Sequence, residues 1–265
     1  MSLPETRTMA PWTAFAHTAD YPFTVARVKR HWKRLHASDQ EPLPQDPQVL
    51  EAWALLHSGQ FQDAAHAGIQ AGPAGTTVAN KAACMYANYL EPREKTKLAL
   101  FLEVAARAAE QSTAEPHNAN AFYWQGYALG RYSQGISVAK ALAQGIGGKI
   151  KTALETAIAL QPRHADAHTA LGTFHAEIID KVGTLIGNMT YGAKKDTSLR
   201  LLQHALHLAP QSTCAMMEYA NALVMLEGDL RMEEATRLYR QAASTRALDA
   251  LERLDVEMAK AELAD

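Results

Sequence analysis

The chain contains the string LxxAxxLxP twice, at residues 154–162 and again at 202–210, 48 residues further on. Within each copy, Leu and Ala recur every three positions and so form an apolar stripe along one helix face. The proline that follows the last leucine by two residues stops that helix and opens the next one. A string of this kind, repeated at a fixed spacing, predicts helical hairpins stacked in series.

Small residues follow the same register. Gly172 and Ala220 each lie ten residues after a proline of the string, and Gly126 lies ten residues after Pro116. Pro162 follows Pro116 by 46 residues, so Pro116 belongs to the same series. A missing side chain inside a helix lets a neighbouring helix approach closely. These positions therefore predict tight packing between the helices of each hairpin.

The composition supports an all-α fold. Alanine accounts for 50 of 265 residues, whereas Val and Ile together number 17, and aromatic residues make up only 7%. Alanine has the best helix propensity, and strands favour β-branched and aromatic residues. The chain is therefore predicted to be an α-α superhelix of about five helical hairpins, with no β-sheet.

Charge, cysteines and apolar runs exclude several function classes. The net charge of -2 gives no overall positive field, so nucleic acid is not expected as a partner. Cys84 and Cys214 lie 130 residues apart without a zinc-finger or disulfide pattern around them. No signal-peptide core or membrane-spanning run is apparent in the sequence. We expect a cytoplasmic protein without a cofactor.

The chain divides into three parts. Residues 1–45 form an N-terminal segment with a basic helix, residues 46–247 form five helical hairpins, and residues 248–265 form a C-terminal capping helix. Units three and four are longer than the others. Aligning them on the prolines places an insert between the two helices of each, at 133–148 and 180–195, and both inserts are apolar and contain glycine.

The hairpins resemble the tetratricopeptide repeat (TPR), which has a period of about 34 residues, a small residue in the first helix and a proline at its end. Over residues 115–245, Phe122-Tyr123-Trp124-Gln125-Gly126, the two strings and the inserts together resemble the regulator of microtubule dynamics family. They also resemble the TPR T component of bacterial TRAP-type uptake systems. The resemblance implies binding of a partner and, in some members, of a hydrophobic ligand in a central channel. The chain shows neither the lipidated N-terminal cysteine of the T component nor the anchor of some eukaryotic relatives.

The first functional hypothesis is a scaffold that binds a protein or peptide in its concave groove. TPR grooves are built from the first helix of each unit, and the register places Asn120, Asp166 and Val224 on that surface. An amphipathic peptide would suit its mixed, weakly charged character. Eight further residues on this surface are predicted to contact the partner: Tyr123, Tyr127, Arg131, Thr169, Thr173, Glu177, Met217 and Asn221.

The alternative hypothesis is a carrier for a hydrophobic or lipid-like small molecule. Solvated loops are not normally as apolar as these two inserts, so the inserts are candidates for the wall of a channel. Six residues are predicted to line it: Ile136, Val138, Leu142, Leu185, Ile186 and Met189.

A metal site is only weakly indicated. His164, His168 and His175 share one helix stripe, and two histidines at i and i+4 can chelate zinc. No glutamate follows the first histidine as a metalloprotease requires, so we expect the three to pack between helices. His204 and His207 form a second pair, for which surface positions are expected.

Catalytic motifs are missing. No Gly-x-Ser-x-Gly elbow or catalytic cysteine context occurs. The glycines near Lys149 and at 187–192 lack the complete phosphate-binding signature, because Ile150 and Ala193 interrupt it. The chain is therefore not expected to be an enzyme.

Residues 27–34, which run from Arg27 to Arg34, hold five fixed positive charges around Trp32. A basic amphipathic helix of this kind can lie on anionic lipid. We favour the alternative, a solvated face that packs Trp32 onto the first hairpin.

Overall fold

The computed structural model describes residues 11–264, so residues 1–10 of the predicted N-terminal segment and Asp265 lie outside the described part. Across this range the chain is helical without a strand, which confirms the all-α prediction. The helices are α1 (Val25–Leu35), α2 (Pro47–His57), α3 (Phe61–Gln70), α4 (Thr76–Tyr89), α5 (Glu94–Ala114), α6 (Ala119–Gln134), α7 (Val138–Ala143), α8 (Ile146–Leu160), α9 (Ala165–Val182), α10 (Thr184–Tyr191), α11 (Lys195–Leu208), α12 (Thr213–Glu227), α13 (Met232–Ala243) and α14 (Ala250–Glu262).

These helices pack as five successive antiparallel pairs. The pairs are α2/α3, α4/α5, α6/α8, α9/α11 and α12/α13, and consecutive pairs contact each other through their neighbouring helices. The short helices α7 and α10 lie inside the connections of units three and four, where the sequence predicts the inserts. Each insert therefore forms a short helix of its own between the two helices of its pair.

Each LxxAxxLxP string packs against the glycine of its own unit. A Cβ atom added at Gly126 would lie 2.8 Å from two carbons of the Leu154 side chain, and one added at Gly172 would lie 2.7 Å from Cγ of Leu202. Both leucines are fully buried. The close approach is therefore made by the first leucine of the string, which occupies the space that the glycine leaves on the facing helix.

Helix α1 packs one face onto the first pair. Trp32 is buried, its ring lies edge-on to Trp53 with 5.5 Å between centroids, and its Nε1 donates to the carbonyl of Glu41 at 2.9 Å. Lys29 and Lys33 of the basic block are exposed. The arrangement corresponds to a solvated basic face with an apolar face turned inward.

The C-terminal helix does more than cap the last pair. Helix α14 packs against α13 and α12, as expected of a cap, and it also contacts α2 of the first pair. Its first residues and the residue before it reach helices near the other end of the chain. Three polar contacts make this connection: His57 Nδ1 to Asp249 Oδ2 at 2.6 Å, Tyr89 Oη to Asp255 Oδ1 at 2.5 Å, and Arg34 Nη1 to Glu252 Oε1 at 2.5 Å.

Candidate functional site

A cavity of about 220 Å³ lies between the first helices of units three and four and the two inserts. Helices α6 and α9 form one wall, α7 and α10 form another, and α8 closes the end. Most of the lining is apolar, and it includes nine Val, Leu, Ile and Phe side chains: Ile136, Val138, Leu142, Ile150, Leu154, Phe174, Ile178, Val182 and Ile186.

Six of the eight predicted groove residues line this cavity. They are Tyr123, Tyr127, Arg131, Thr169, Thr173 and Glu177. The other two belong to unit five and are not part of its wall. Met217 is buried in the apolar core of the last pair, so its predicted position on the open groove is wrong. The Asn221 side chain accepts a hydrogen bond from the Tyr239 hydroxyl of α13, a contact within its own unit.

The predicted insert residues divide between the two faces of their short helices. Ile136, Val138, Leu142 and Ile186 line the cavity. Leu185 and Met189 do not, and they are 74% and 81% exposed. Because Leu185 and Met189 are one helical turn apart, they share the outer face of α10, whereas Ile186 and Thr190 share the inner face. No helix was assigned to this insert from the sequence, and therefore an inner face was not separated from an outer face. The prediction that Leu185 and Met189 line the cavity is wrong.

The groove residues and the insert residues, which were predicted to bind different ligands, thus meet at one cavity.

A glycine of α6 leaves space in this cavity. Gly130 of α6 lines the cavity, and a Cβ atom added there would meet no atom within 4 Å. The empty volume exists because small residues occupy the positions at which other helices carry packing side chains.

Polar side chains cross one side of the cavity. Arg131 donates to Glu218 at 2.8 Å, and Thr173 donates to the other oxygen of Glu218 at 3.2 Å. Gln134 donates to Glu177 at 2.5 Å. Although burial disfavours its charge, Tyr127 and Glu218 raise the pKa of Arg131, so the guanidinium stays charged. The cavity therefore combines apolar walls with an ion pair between Arg131 and Glu218 on one side.

The two tyrosine hydroxyls and the cysteine thiol of the wall stay neutral at ordinary pH. Burial raises the pKa of the Tyr123 and Tyr127 hydroxyls. Burial also raises the pKa of the Cys214 thiol, which lines the cavity, and of the Cys84 thiol. A thiol that remains protonated is a poor nucleophile.

The three histidines singled out in the sequence all make hydrogen bonds within the fold. His164 caps α9: its Nδ1 accepts from the backbone N–H of Ala167 at 3.1 Å, and its Nε2 contacts Asn120 Oδ1 at 2.9 Å. His168 Nε2 lies 3.0 Å from the carbonyl of Pro162. His175 Nδ1 accepts from the backbone of Lys194 at 3.4 Å. Burial lowers the pKa of His164 and His175 to about 4, so both are neutral. Within residues 11–264 no three His, Cys, Asp or Glu side chains are grouped as a metal site.

The concave surface next to the cavity is covered by the chain itself. The segment 36–41, which follows α1, crosses the first helices of units two to four. Asp39 accepts from Lys81 of α4 at 2.6 Å, and Glu41 accepts from Asn120 of α6 at 2.6 Å. The backbone N–H at the start of α9 donates to the carbonyl of Ser38 at 3.2 Å. The groove prediction missed this segment, although its acidic residues directly after a basic helix were the available signal.

A second cavity, of about 390 Å³, lies behind this segment. Helices α4, α6 and α14 and the turn between α11 and α12 surround it, and Tyr123, Tyr127, Asp166 and Cys214 line both cavities. Burial, with Asp39 as a further cause, raises the pKa of Asp166 to about 7. Burial likewise raises the pKa of Asp255 to about 7. No sequence pattern indicated this second space, because its walls come from the whole length of the chain.

Comparison with known proteins supports the fold. No protein-family model matches the chain, and no curated protein matches it by sequence. Among solved structures, the chain is similar to a thermophilic TPR protein from Thermus thermophilus, with a TM-score of 0.57 and 16% identity. The match covers 81% of this chain and 97% of that protein. The predicted TPR-like α-α superhelix is thereby confirmed. None of the helices in the described range is both long and apolar enough to cross a membrane.

Proposed function

We propose that the chain is a non-catalytic binding protein of TPR-like fold whose first cavity holds a hydrophobic or lipid-like small molecule. TPR-like folds generally serve as interaction scaffolds. The observation that carries the proposal is the junction of the two inserts with α6 and α9 around an apolar space of about 220 Å³. An engineered lysozyme cavity of about 150 Å³ already binds benzene, so a space of this size suits a small apolar molecule or part of a longer one.

A peptide in the concave groove is supported less well. Segment 36–41 already takes up the hydrogen bonds of Lys81 and Asn120, which face that groove. A peptide partner would have to displace this segment or bind elsewhere. The resemblance to the regulator of microtubule dynamics family and to the T component of uptake systems agrees with the small-molecule proposal, since some of their members hold hydrophobic ligands. A cytoplasmic location remains part of the proposal.

The test uses a matched pair of glycine substitutions. Gly130→Leu places a side chain in the cavity, and Gly148→Leu places the same side chain in the first turn of α8, outside it. Neither position has an atom within 4 Å of an added Cβ. Leucine has a better helix propensity than glycine by roughly 0.8 kcal/mol, so both variants are expected to fold.

We expect the purified protein to release an apolar molecule on solvent extraction and to bind an apolar fluorescent probe such as N-phenyl-1-naphthylamine. Gly130→Leu should weaken probe binding at least tenfold, whereas Gly148→Leu should bind as the wild type does. Native mass spectrometry of the same samples reports the mass of any retained ligand. A wild-type protein that carries no extractable molecule and binds no probe contradicts the proposal, as does equal probe binding by both variants.

A further inference from the structure

The two inserts carry apolar side chains that stay partly or largely exposed, some on the outer face and some at the edge of the cavity. Leu185, Ile186 and Met189 of α10 are 74%, 58% and 81% exposed, and Val138 and Leu142 of α7 are 41% and 47% exposed. These five residues are called the insert patch below. Single exposed apolar residues are ordinary on a protein surface, but five of them on two inserts that line the same cavity mark an interaction surface.

Positive charge is in excess around the insert patch. The inserts and the residues next to them, 133–151 and 180–196, hold six lysines and two acidic residues, Asp180 and Asp196, although the chain as a whole has a net charge of -2. This local excess of positive charge runs against the overall balance of the protein. It selects for an anionic partner surface.

Three of these lysines are free to meet such a surface. Lys151, Lys181 and Lys195 each have a carboxylate oxygen within 4 Å, those of Glu155, Glu177 and Glu227 respectively. Lys140, Lys149 and Lys194 are exposed and form no ion pair within residues 11–264. The unpaired lysines lie on or directly beside α7, α8 and α10, next to the apolar side chains of the insert patch.

The insert patch also surrounds the opening of the first cavity. Val138, Leu142 and Ile186 are partly exposed and line the cavity at the same time. Their side chains therefore connect the apolar interior with the outer surface. A molecule that leaves the cavity past these residues emerges among Leu185 and Met189.

We infer that the insert patch docks onto the surface of a membrane that contains anionic lipid, with the cavity opening turned toward the bilayer. Exposed Leu, Ile and Met side chains enter the boundary between headgroups and acyl chains, and lysines beside them meet the lipid phosphates. The flat, fluid bilayer surface suits a patch built from two short helices that share no polar recognition groups. The inference goes beyond ligand binding in the cavity, which does not itself require docking.

The first experiment measures co-sedimentation of the full-length protein with lipid vesicles. Vesicles of phosphatidylcholine alone are compared with vesicles that also contain phosphatidylserine. We expect binding to the anionic vesicles and much weaker binding to the neutral ones. Raising the salt concentration from about 0.1 M to 1 M shortens the screening length from about 10 Å to 3 Å and should release most of the protein. Equal binding to both kinds of vesicle, or no binding to either, overturns the inference.

The second experiment assigns the contact. Lys140→Gln, Lys149→Gln and Lys194→Gln together should weaken binding about 100-fold, since each lysine near the surface contributes about fivefold. Leu185→Ser with Met189→Ser should also weaken binding, because both side chains leave water on docking. The matched control is Ile69→Ser with Leu102→Ser, which removes exposed apolar side chains elsewhere and should leave binding unchanged.

The basic block of α1 serves as a competing explanation. If Lys29→Gln with Lys33→Gln abolishes vesicle binding while the three insert lysine variants do not, the docking surface lies on α1 and the inference is wrong. Gly130→Leu separates docking from cavity function, since it should keep vesicle binding while losing the apolar probe. Wild-type protein that binds the apolar probe but no vesicles contradicts the docking inference alone, whereas wild-type protein that binds vesicles but no probe contradicts the cavity proposal alone. Circular dichroism melting confirms that each variant is folded.

Discussion

Units one and two and units three and four share a helical-hairpin design, but their concave sides differ. In the first half, the concave surface is filled: Trp53 and His36 pack edge to face, and segment 36–41 lies on α4 with a buried ion pair between Asp39 and Lys81. In the second half, Gly130, Thr169 and Thr173 line the first cavity, and residues of the two inserts form its other wall. The repeat fold alone does not determine whether its inner surface is a core or a site, because a few side chains decide this.

The largest effect on the free energy of unfolding is expected when the buried ion pair between Asp39 and Lys81 is removed. Although burial alone would raise it, His36 and Lys81 hold the pKa of Asp39 well below its ordinary value. Asp39→Ala leaves Lys81 buried without its partner and should reduce the free energy of unfolding by about 3–5 kcal/mol. Urea denaturation measures this loss. Asp39→Ala with Lys81→Met should recover part of it, and a loss below about 1 kcal/mol for the single variant would contradict the assigned role of the network.

A smaller effect is expected at Asp166 of α9, which lines both cavities. Its pKa of about 7 in the folded protein lies above the ordinary value of 3.8, so its ionisation opposes folding. Stability should therefore fall as the pH rises from about 4 to about 7 and should stay low above that range. Asp166→Asn should remove this group's share of the fall.

Denaturation of wild type and Asp166→Asn at about pH 5 and about pH 8 tests this prediction. The variant should gain on the order of 2 kcal/mol relative to wild type at the higher pH, since partial solvation reduces the full linkage energy. Asp229→Asn, at an exposed turn, is the control and should leave the pH profile unchanged. An identical profile for wild type and Asp166→Asn would show that the carboxyl ionises freely in the folded state.

Filling the empty half should have a modest stabilising effect. Gly130→Leu adds apolar contacts in the cavity and improves helix propensity, so the free energy of unfolding should rise by about 1 kcal/mol while ligand binding is lost. Thermal unfolding of Gly130→Leu and Gly148→Leu separates the cavity contribution from the propensity contribution that both share. A marked destabilisation by Gly130→Leu alone would mean that the space at this position is smaller than the structure shows.

The smallest effect is expected on the outer face of the inserts. Leu185→Ser with Met189→Ser should change the free energy of unfolding by less than about 0.5 kcal/mol, because neither side chain leaves water on folding. A melting curve that shifts clearly would place these side chains in the core and remove the basis for a docking surface.

The sequence predicted the pairing of helices well because the relevant contacts are periodic. Leu154 and Gly126, or Leu202 and Gly172, lie within one unit, and the proline register relates them. The first cavity was only half predictable. The groove and insert residues were identified separately, but their meeting at one cavity depends on how α7 and α10 pack in three dimensions, which no local pattern encodes.

Contacts between distant parts of the chain could not be predicted from the repeat register. Segment 36–41 is not part of a repeat, and it contacts the repeats through Asp39 with Lys81 and through Glu41 with Asn120. Because these contacts do not recur along the sequence, a repeat pattern cannot predict them. The prediction that Met217 faces the groove is wrong for a related reason. The register of unit five was extrapolated from units three and four, but Met217 of α12 is buried in an apolar cluster.

The connection of α14 to α1, α2 and α4 fixes the number of repeats. An open repeat array can change its superhelical pitch, and its number of units is not limited by contacts between its two ends. Here Asp249, Glu252 and Asp255 tie the last helix to the first ones, and a sixth unit would pull His57, Arg34 and Tyr89 out of reach. The array of five pairs thus has a set number of units, closed by contacts between its last helix and its first ones.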